Sequence, residues 1–325
     1  MLKDKISQIA VSGSIAFDKI MDFPGIFSDN IVLGKPNQFH QLNLSLIVDN
    51  LKTSFGGTAG NIAYNLSLLK EKPIVFGTVG FDFLPYRAWM LKNKLNLEFI
   101  KERKLHSTAT AHIITDKNDN QVSAFYPCPY IPNYATKAVT LACRKYNIKL
   151  AIIAPDNKEM MLQYARAYRA RKIPFIFDSG QAVHAFSPKE LREAIVNAEV
   201  LIGNDYEMNF ISQSLKMSIA DLSNKVKTLI ITKGSKGSEI YQSGHKIIVK
   251  SAKPANSSDP TGAGDAYRAG LIKGLIKGYN LKTCGRLAGT VSVYTVEKYG
   301  TQTHSFTIKD LQKRYYKNFK EKINL

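Results

Sequence analysis

The stretch Asp259-Pro260-Thr261-Gly262-Ala263-Gly264-Asp265 carries the sharpest structural signal in this chain of 325 residues. Its two glycines allow a tight backbone turn, and Gly262–Lys277 has the pattern of a long helix. A helix begins with free N–H groups and with the positive end of its dipole. Because Gly262, Ala263 and Gly264 carry almost no side chain, these N–H groups would be open to an anion such as a phosphoryl group.

Asp265 lies in the first turn of the same predicted helix. Beside a bound phosphate, its carboxylate could accept a proton from an attacking hydroxyl. The carboxylate could also merely complement the helix dipole, but Asp259 and Thr261 already supply capping groups. We therefore expect Asp265 to be catalytic, with the three residues before it forming the anion site.

A second glycine cluster, Phe55-Gly56-Gly57-Thr58-Ala59-Gly60-Asn61, precedes another predicted helix, Ala59–Leu69. Gly56 and Gly57 would let a ligand approach the main chain. Asn61 would offer both a donor and an acceptor from the first helical turn. A Gly-Gly turn before a helix can also serve packing alone, so this cluster does not by itself identify a ligand.

Outside these clusters, short apolar segments alternate with helical ones. The predicted strands of this pattern are Gln8–Ser12, Ile74–Val79, Leu150–Ala154, Pro174–Phe177, Val200–Gly203 and Thr228–Thr232. A run of βα units indicates an α/β protein with a mostly parallel sheet covered by helices on both faces. Lys236–Tyr241 and His245–Val249 then predict a hairpin, and a second long helix follows over Leu281–Lys298.

Two segments interrupt this pattern and predict a small second sheet. Residues 31–55 contain the alternation Leu42-Asn43-Leu44-Ser45-Leu46, and residues 106–130 contain two strand-like stretches around the turn signal Asp116–Asn120. We expect these segments to form a β-sheet lid that stands off the main body. The sequence has no internal repeat or obvious linker, so residues 1–325 are expected to form one domain.

Four motifs in a characteristic order resemble those of the ribokinase-like, or PfkB, family of carbohydrate and nucleoside kinases. They are Gly56-Gly57 with Asn61, Asn204-Asp205-Tyr206-Glu207, Thr232-Lys233-Gly234-Ser235-Lys236-Gly237, and Asp259–Asp265. The resemblance extends from Gly13 to about Gln302. It implies an α/β core with a small β-sheet lid, and an enzyme that transfers phosphate from ATP to a hydroxyl group.

The resemblance also implies roles for individual residues. Asp265 would be the general base, with Gly262, Ala263 and Gly264 as the anion hole. The ATP site would be lined by Asn204, Thr232, Lys233, Gly234, Ser235, Lys236 and Gly237. Asn204 and Glu207 match the family motif that positions magnesium and phosphate, although the pair also fits an N-cap with its capping box.

On the acceptor side, the resemblance implies that Asp18 binds the substrate together with Gly56, Gly57 and Asn61. One carboxylate can accept hydrogen bonds from both hydroxyls of a vicinal diol, which suits a ribose. Many relatives hold a monovalent cation near the anion hole, and Asp259, Thr261 and Gly300 occupy the matching positions. We therefore expect ATP and Mg²⁺ as cofactors, with potassium as a further candidate.

Departures from the ribokinase pattern narrow the substrate. Ala16 replaces the usual asparagine, Gly56–Asn61 lacks the usual lysine, and Pro155 stands near the place of a ribose-binding glutamate. These departures disfavour free ribose. Gly56–Ala63 and Val296–Gln302 are more similar to nucleoside kinases, including adenosine kinases. We therefore expect phosphorylation of the adenosine 5′-hydroxyl to give AMP.

Two alternatives stay open. A sugar or sugar-phosphate kinase of the same family would need cations in the acceptor site, which Lys35, Lys52 or Arg103 could supply. The 45 Lys and Arg residues against 26 Asp and Glu give a net charge of +19, which also fits a non-catalytic nucleotide- or nucleic-acid-binding protein. The basic residues are dispersed and no zinc-finger or RNA-binding motif is present, so nucleic acid is not the expected partner.

Cysteine content and hydropathy indicate the cellular setting. The three cysteines, Cys128, Cys143 and Cys284, are far apart and include no CxxC pair, which predicts neither a disulfide framework nor a zinc ribbon. No apolar run reaches the roughly 18 residues of a membrane span. We expect a cytoplasmic protein without a membrane partner, as a monomer or a homodimer.

Overall fold

The computed structural model of the protein describes residues 7–30, 45–118 and 120–325. Thirteen β-strands in two sheets and eleven α-helices lie within these ranges. The strands are β1 (Ser7–Ser12), β2 (Ala16–Asp22), β3 (Asn50–Gly56), β4 (Ile74–Gly80), β5 (Asn96–Arg103), β6 (Ala109–Thr115), β7 (Gln121–Tyr126), β8 (Asn147–Ile153), β9 (Phe175–Asp178), β10 (Val200–Asn204), β11 (Thr228–Thr232), β12 (Ser238–Gln242) and β13 (His245–Val249). The helices are α1 (Phe27–Asn30), α2 (Thr58–Leu68), α3 (Leu84–Lys92), α4 (Tyr134–Lys145), α5 (Lys158–Ala170), α6 (Pro188–Ile195), α7 (Asp205–Leu215), α8 (Ile219–Ser223), α9 (Ala263–Ile276), α10 (Leu281–Val296) and α11 (Ile308–Phe319).

The larger sheet has the strand order β13-β12-β11-β10-β9-β8-β1-β4-β5. Seven neighbouring strands of this sheet are parallel, namely β11, β10, β9, β8, β1, β4 and β5. Only the hairpin of β12 and β13 adds antiparallel pairs. Apolar side chains leave both faces of this sheet, as in β1, where Ile9 and Val11 pack on one side and Ala10 on the other. The predicted mostly parallel sheet is therefore confirmed.

Helices cover both faces of this sheet. Helices α2, α3, α9, α10 and α11 contribute to one buried apolar cluster, and α4 to α8 contribute to the other. These helices are held by the apolar side chains that they contribute to the two clusters rather than by propensity alone. No helix among the described ranges has the length and apolarity that crossing a bilayer requires.

The smaller sheet has the order β3-β2-β6-β7 and is the second sheet expected from the sequence. Its bounds differ from the prediction, because Ala16–Asp22 is one of its two central strands, between β3 and β6. Most of the alternation predicted over 42–46 lies outside the described residues, and residues 45–48 form no strand. Of the predicted segment 31–55, the sheet therefore includes the part from Asn50 onward.

The carboxyl ends of the parallel strands meet at one edge of the larger sheet. Ser12, Asp178, Asn204 and Thr232 end β1, β9, β10 and β11 at this edge. The chain passes from β1 into the smaller sheet through Gly13–Ile15, and the Ser14 amide donates to the carbonyl of Pro155 at 3.1 Å. Ligands of open α/β sheets bind outside the carboxyl ends of the strands, so this edge is where a site is expected.

Candidate active site

Asp265 stands at the sheet edge in the first turn of α9, as the sequence predicts. Its Oδ2 accepts a hydrogen bond of 2.8 Å from Nδ2 of Asn61, which lies in the first turns of α2. Burial raises the pKa of Asp265 to about 7; hydrogen bonding from Asn61 and the charge of Arg268 oppose the rise, and Asp178 and Asp18 add to it. A carboxylate with this pKa can take up a proton near neutral pH.

The turn before α9 presents free backbone amides. Gly262 has φ of 77°, and a Cβ at that position would come within 2.9 Å of the Thr301 side chain, so glycine is required there. The amide of Ala263 donates to the carbonyl of Pro260 at 3.1 Å and is therefore occupied. Within the described residues, the amides of Gly262, Gly264 and Asp265 have no acceptor, so two of the three expected donors are open and the Asp265 amide is a further one.

Two cavities meet beside this turn. One, of about 720 Å³, extends from β11 along α9 and α10, and the other, of about 540 Å³, lies between the sheet edge and the smaller sheet. Thr232, Gly234 and Gly264 line both cavities, and Asp265 lines the second. The carboxylate is thus placed where two bound molecules would come together.

The second cavity contains most of the predicted acceptor residues. Asp18, Gly57 and Asn61 line it, whereas Gly56 does not. Instead, Gly56 provides space, because a Cβ there would lie 2.2 Å from Oδ2 of Asp18. Burial, and secondarily the charge of Asp259, raise the pKa of Asp18 to about 6.

The first cavity contains the predicted nucleotide loop between β11 and β12. Thr232, Gly234, Ser235, Lys236 and Gly237 line it. Lys233 does not, because its ammonium pairs with the Glu239 carboxylate at 2.7 Å. At Gly237 a Cβ would lie 2.0 Å from the carbonyl oxygen of Val249, so the loop closes tightly against β13.

Asn204 and Glu207 form both the predicted capping box and a part of the second cavity. Oδ1 of Asn204 accepts from the Glu207 amide at 2.8 Å, and Oε2 of Glu207 accepts from the Asn204 amide at 2.8 Å. Burial, and then the charge of Asp178, raise the pKa of Glu207. This geometry is therefore compatible with both interpretations of the motif, an N-cap with its capping box and a place in the ligand site.

Sequence reasoning missed the ion pair between Arg268 and Asp178. Nε and Nη2 of Arg268 donate to the two carboxylate oxygens at 2.8 and 3.2 Å, and both residues are buried. Both also line the second cavity. The available signal was Asp178 at the end of an apolar strand, together with Arg268 one helical turn after Asp265.

The three residues predicted to hold a monovalent cation lie together around one carboxylate. Oδ1 of Asp259 accepts from the Thr261 amide at 2.9 Å, and Oδ2 accepts from the Gly300 amide at 3.0 Å. Of these residues, only Thr261 lines the second cavity. Across the described part of the chain, no three acidic, histidine or cysteine side chains are grouped closely enough to hold a metal ion by themselves.

Comparison with known proteins agrees with this geometry. The pfkB family of carbohydrate kinases matches residues 28–308. The chain is 32% identical to the nucleoside kinase of Methanocaldococcus jannaschii over 82% of this chain and 87% of that protein. It is 33% identical to the nucleoside kinase of Methanothermobacter thermautotrophicus, over 82% and 86% of the two chains.

Solved structures give the same result. The Burkholderia thailandensis nucleoside kinase in complex with inosine is 33% identical, covers 97% of this chain and 99% of its own, and has a TM-score of 0.84. A second structure of that enzyme, in complex with ADP-inosine, gives a TM-score of 0.81 at 34% identity. The fold and site thus define a phosphotransferase that uses an alcohol group as acceptor. This chain belongs to the pfkB family of carbohydrate kinases.

Proposed function

We propose that this protein transfers the γ-phosphate of ATP to the 5′-hydroxyl of a nucleoside, with adenosine as the preferred acceptor. The observation that carries the proposal is the position of Asp265 where the two cavities meet, beside the unoccupied amides of Gly264 and Asp265. The larger cavity would bind ATP and the smaller one the nucleoside. The similarity to nucleoside kinases, one of them solved in complex with inosine, supports this class of acceptor.

The chemistry assigns one task to each group. Asp265 accepts the proton of the 5′-hydroxyl as its oxygen attacks the γ-phosphorus, and the bond to the β-phosphate oxygen breaks to release ADP. The amides of Gly264 and Asp265 stabilise the negative charge on the transferring group. Asp18 would bind the ribose hydroxyls, and the smaller sheet would close over the site to exclude water.

The smaller sheet offers apolar contacts for a nucleobase. Ala111, Ile113 and Phe125 line the acceptor cavity from β6 and β7, and an aromatic face suits a flat base.

The side chains of Glu207, Asn204 and Thr232 supply oxygen ligands of the kind that Mg²⁺ prefers. Since the described residues form no complete metal site, the ion would be shared with the nucleotide phosphates, whose charge it would offset.

The alternative acceptor, a sugar phosphate, is disfavoured by the charges in the acceptor cavity. Arg268 is the only Lys or Arg among the described lining residues, and it is paired with Asp178. Lys52 lies over the ring of Tyr299, and Arg103 donates to the carbonyl of Tyr130, so neither lines this cavity. Lys35 lies outside the described residues.

The acceptor is tested by measuring ADP release and product identity with ATP, Mg²⁺ and a panel of acceptors. We expect adenosine to give the highest kcat/KM, with inosine lower, and ribose and fructose 6-phosphate lower still. Efficient turnover of fructose 6-phosphate without nucleoside turnover would establish the sugar-phosphate alternative instead. Repeating the assay with and without added potassium tests the predicted cation site at Asp259, Thr261 and Gly300.

The role of Asp265 is tested by Asp265→Asn, with Asp310→Asn as a matched control. Asp310 occupies the corresponding third position of α11, where it also complements a helix N-terminus. Loss of a positioned base should lower kcat by about 10²–10⁴-fold, while nucleoside binding, followed by thermal shift, is retained. Asp310→Asn should keep near-normal kcat. Similar, small effects of the two changes would show that Asp265 only complements the helix.

A further inference from the structure

A buried chain of hydrogen bonds extends from Asp265 away from both cavities. Oδ1 of Asn61 accepts from Nε2 of Gln302 at 3.0 Å, and Oε1 of Gln302 accepts from Nε1 of Trp89 at 2.9 Å. Nε2 of Gln302 also donates to the Tyr86 hydroxyl at 2.6 Å. Asn61, Gln302 and Tyr86 are buried, and neither Gln302, Tyr86 nor Trp89 lines either cavity.

Trp89 fixes which groups donate and which accept along this series of hydrogen bonds. An indole N–H can only donate, so the atom of Gln302 that faces it must be the carbonyl oxygen. The amide nitrogen of Gln302 then faces Asn61, whose own oxygen must accept the bond. As a result, the NH₂ group of Asn61 is turned toward the carboxylate of Asp265.

The rest of the network agrees with this single order of donors and acceptors. The Tyr86 hydroxyl accepts from Gln302 and donates its own proton to the carbonyl of Gly56 at 2.8 Å. The reversed order would put the NH₂ of Gln302 against the indole N–H of Trp89. It would also turn the oxygen of Asn61 toward Asp265, where a carboxylate would repel it and only a protonated carboxyl could donate a hydrogen bond to it.

We propose that Trp89 and Gln302 are positioning residues that hold Asn61 with its NH₂ group toward Asp265, and so keep Asp265 in the form that can accept a proton. The proposal rests on the proposed role of Asp265 as general base. Trp89 lines neither cavity and acts only through the orientation of two amides. Without its N–H, both amides could reverse and favour the protonated carboxyl.

Several other groups act on the same carboxyl and must be considered in any pH measurement. Arg268 lies on the same helix, Asp178 at the end of β9, and Asp18 on β2. Of these, Asp18 has a raised pKa of about 6, below that of Asp265. A change confined to Trp89 leaves all three in place. A shift in the pKa of Asp265 would therefore come from the hydrogen-bond relay formed by Trp89, Gln302 and Asn61.

The experiment uses the single tryptophan of the chain. Biosynthetic replacement of tryptophan by benzothienylalanine changes only Trp89, and puts sulfur in place of the N–H with nearly the same shape. We expect the acidic limb of kcat/KM against pH to move up by about one unit. Activity should fall about tenfold at pH ~6 and recover at pH ~9, where Asp265 is ionised in either case.

Tyr64→Phe is the matched control, because Tyr64 stacks on Trp89 with ring centroids 6.0 Å apart but lies outside the relay. It loses only the bond from its hydroxyl to the carbonyl of His304. Gln302→Glu should move the limb in the same direction as the tryptophan analogue, since an ionised carboxylate cannot donate to Asn61. The limb of Tyr64→Phe should stay in place.

An unmoved limb in the analogue, or an equal loss of activity at every pH, would overturn the relay, as would an equal shift in Tyr64→Phe. These outcomes are separate from failure of the proposed function. If Asp265→Asn kept normal turnover, the base role and the relay would both fall. If Asp265→Asn were inactive while the analogue kept its limb, only the relay would fall.

Discussion

Asp18 and Gly56 show how one residue can make room for another in the acceptor cavity. They lie on paired strands, Asp18 on β2 and Gly56 at the end of β3. The carboxylate of Asp18 takes the space that a Cβ at Gly56 would fill. The glycine motif that the sequence marked as a ligand contact therefore acts partly by leaving space for a neighbouring side chain.

We predict that Gly56→Ala weakens nucleoside binding. The new methyl group would force the Asp18 carboxylate out of its position, because the two would otherwise be separated by only 2.2 Å. KM for adenosine should rise at least tenfold, corresponding to ~1.4 kcal/mol of lost binding, with KM for ATP unchanged. Steady-state kinetics with each substrate varied in turn measures both values. Equal increases in the two constants would point to general disruption of the fold instead.

The order of hydrogen-bond donors and acceptors around Asp265 is the part of the site that the sequence could not predict. Asp265, Asn61 and Asp18 were predicted from motifs whose residues are close in sequence or typical of the family. Gln302 reaches Asn61 across 241 positions, and Trp89 reaches Gln302 across 213. No local pattern links residues so far apart, so their donor and acceptor order becomes visible only when the fold brings them together.

Among the structural elements, the parallel strands were the most predictable and the smaller sheet the least. Strands such as Ile74–Gly80 are buried throughout, so their apolar runs are uninterrupted. β2 was missed because Ala16–Asp22 mixes Asp and Lys with apolar residues, as a half-covered strand does. Asp18 lies within this strand, which is one of the two central strands of the smaller sheet.

At the scale of the β7 strand, we predict that its two faces differ in function. Phe125 lines the acceptor cavity, whereas the adjacent Tyr126 points to the other face and does not. Phe125→Ala should raise KM for adenosine about tenfold, because stacking of a base on an aromatic ring contributes ~1–3 kcal/mol. Tyr126→Ala removes an aromatic ring from the same exposed strand and should leave this KM within about twofold. Comparable effects of both changes would argue against a base contact at Phe125.

For the molecule as a whole, the ionised carboxylate of Asp265 serves the proposed chemistry but lowers the stability of the folded state. Asp265 has its ordinary pKa of 3.8 when unfolded and a pKa of about 7 in the folded protein, mainly through burial. The folded state therefore binds the proton of the Asp265 carboxyl more tightly than the unfolded state does. The stabilisation of the fold by this protonation is complete below pH ~4. It is lost as pH rises through about 7, where the folded protein must hold a poorly hydrated charge.

We therefore predict that Asp265→Asn, while inactive, is more stable than the natural protein at pH ~8, by about 1–2 kcal/mol. The difference should shrink toward zero at pH ~4, where the native carboxyl is protonated. Asp310→Asn should show the opposite sign at pH ~8, because Thr307 hydrogen bonds lower the pKa of Asp310 and stabilise its charged form. Urea unfolding of the three proteins at both pH values measures these differences. A less stable Asp265→Asn at pH ~8 would mean that the ionised carboxylate is well solvated or paired, and its raised pKa would have to be abandoned.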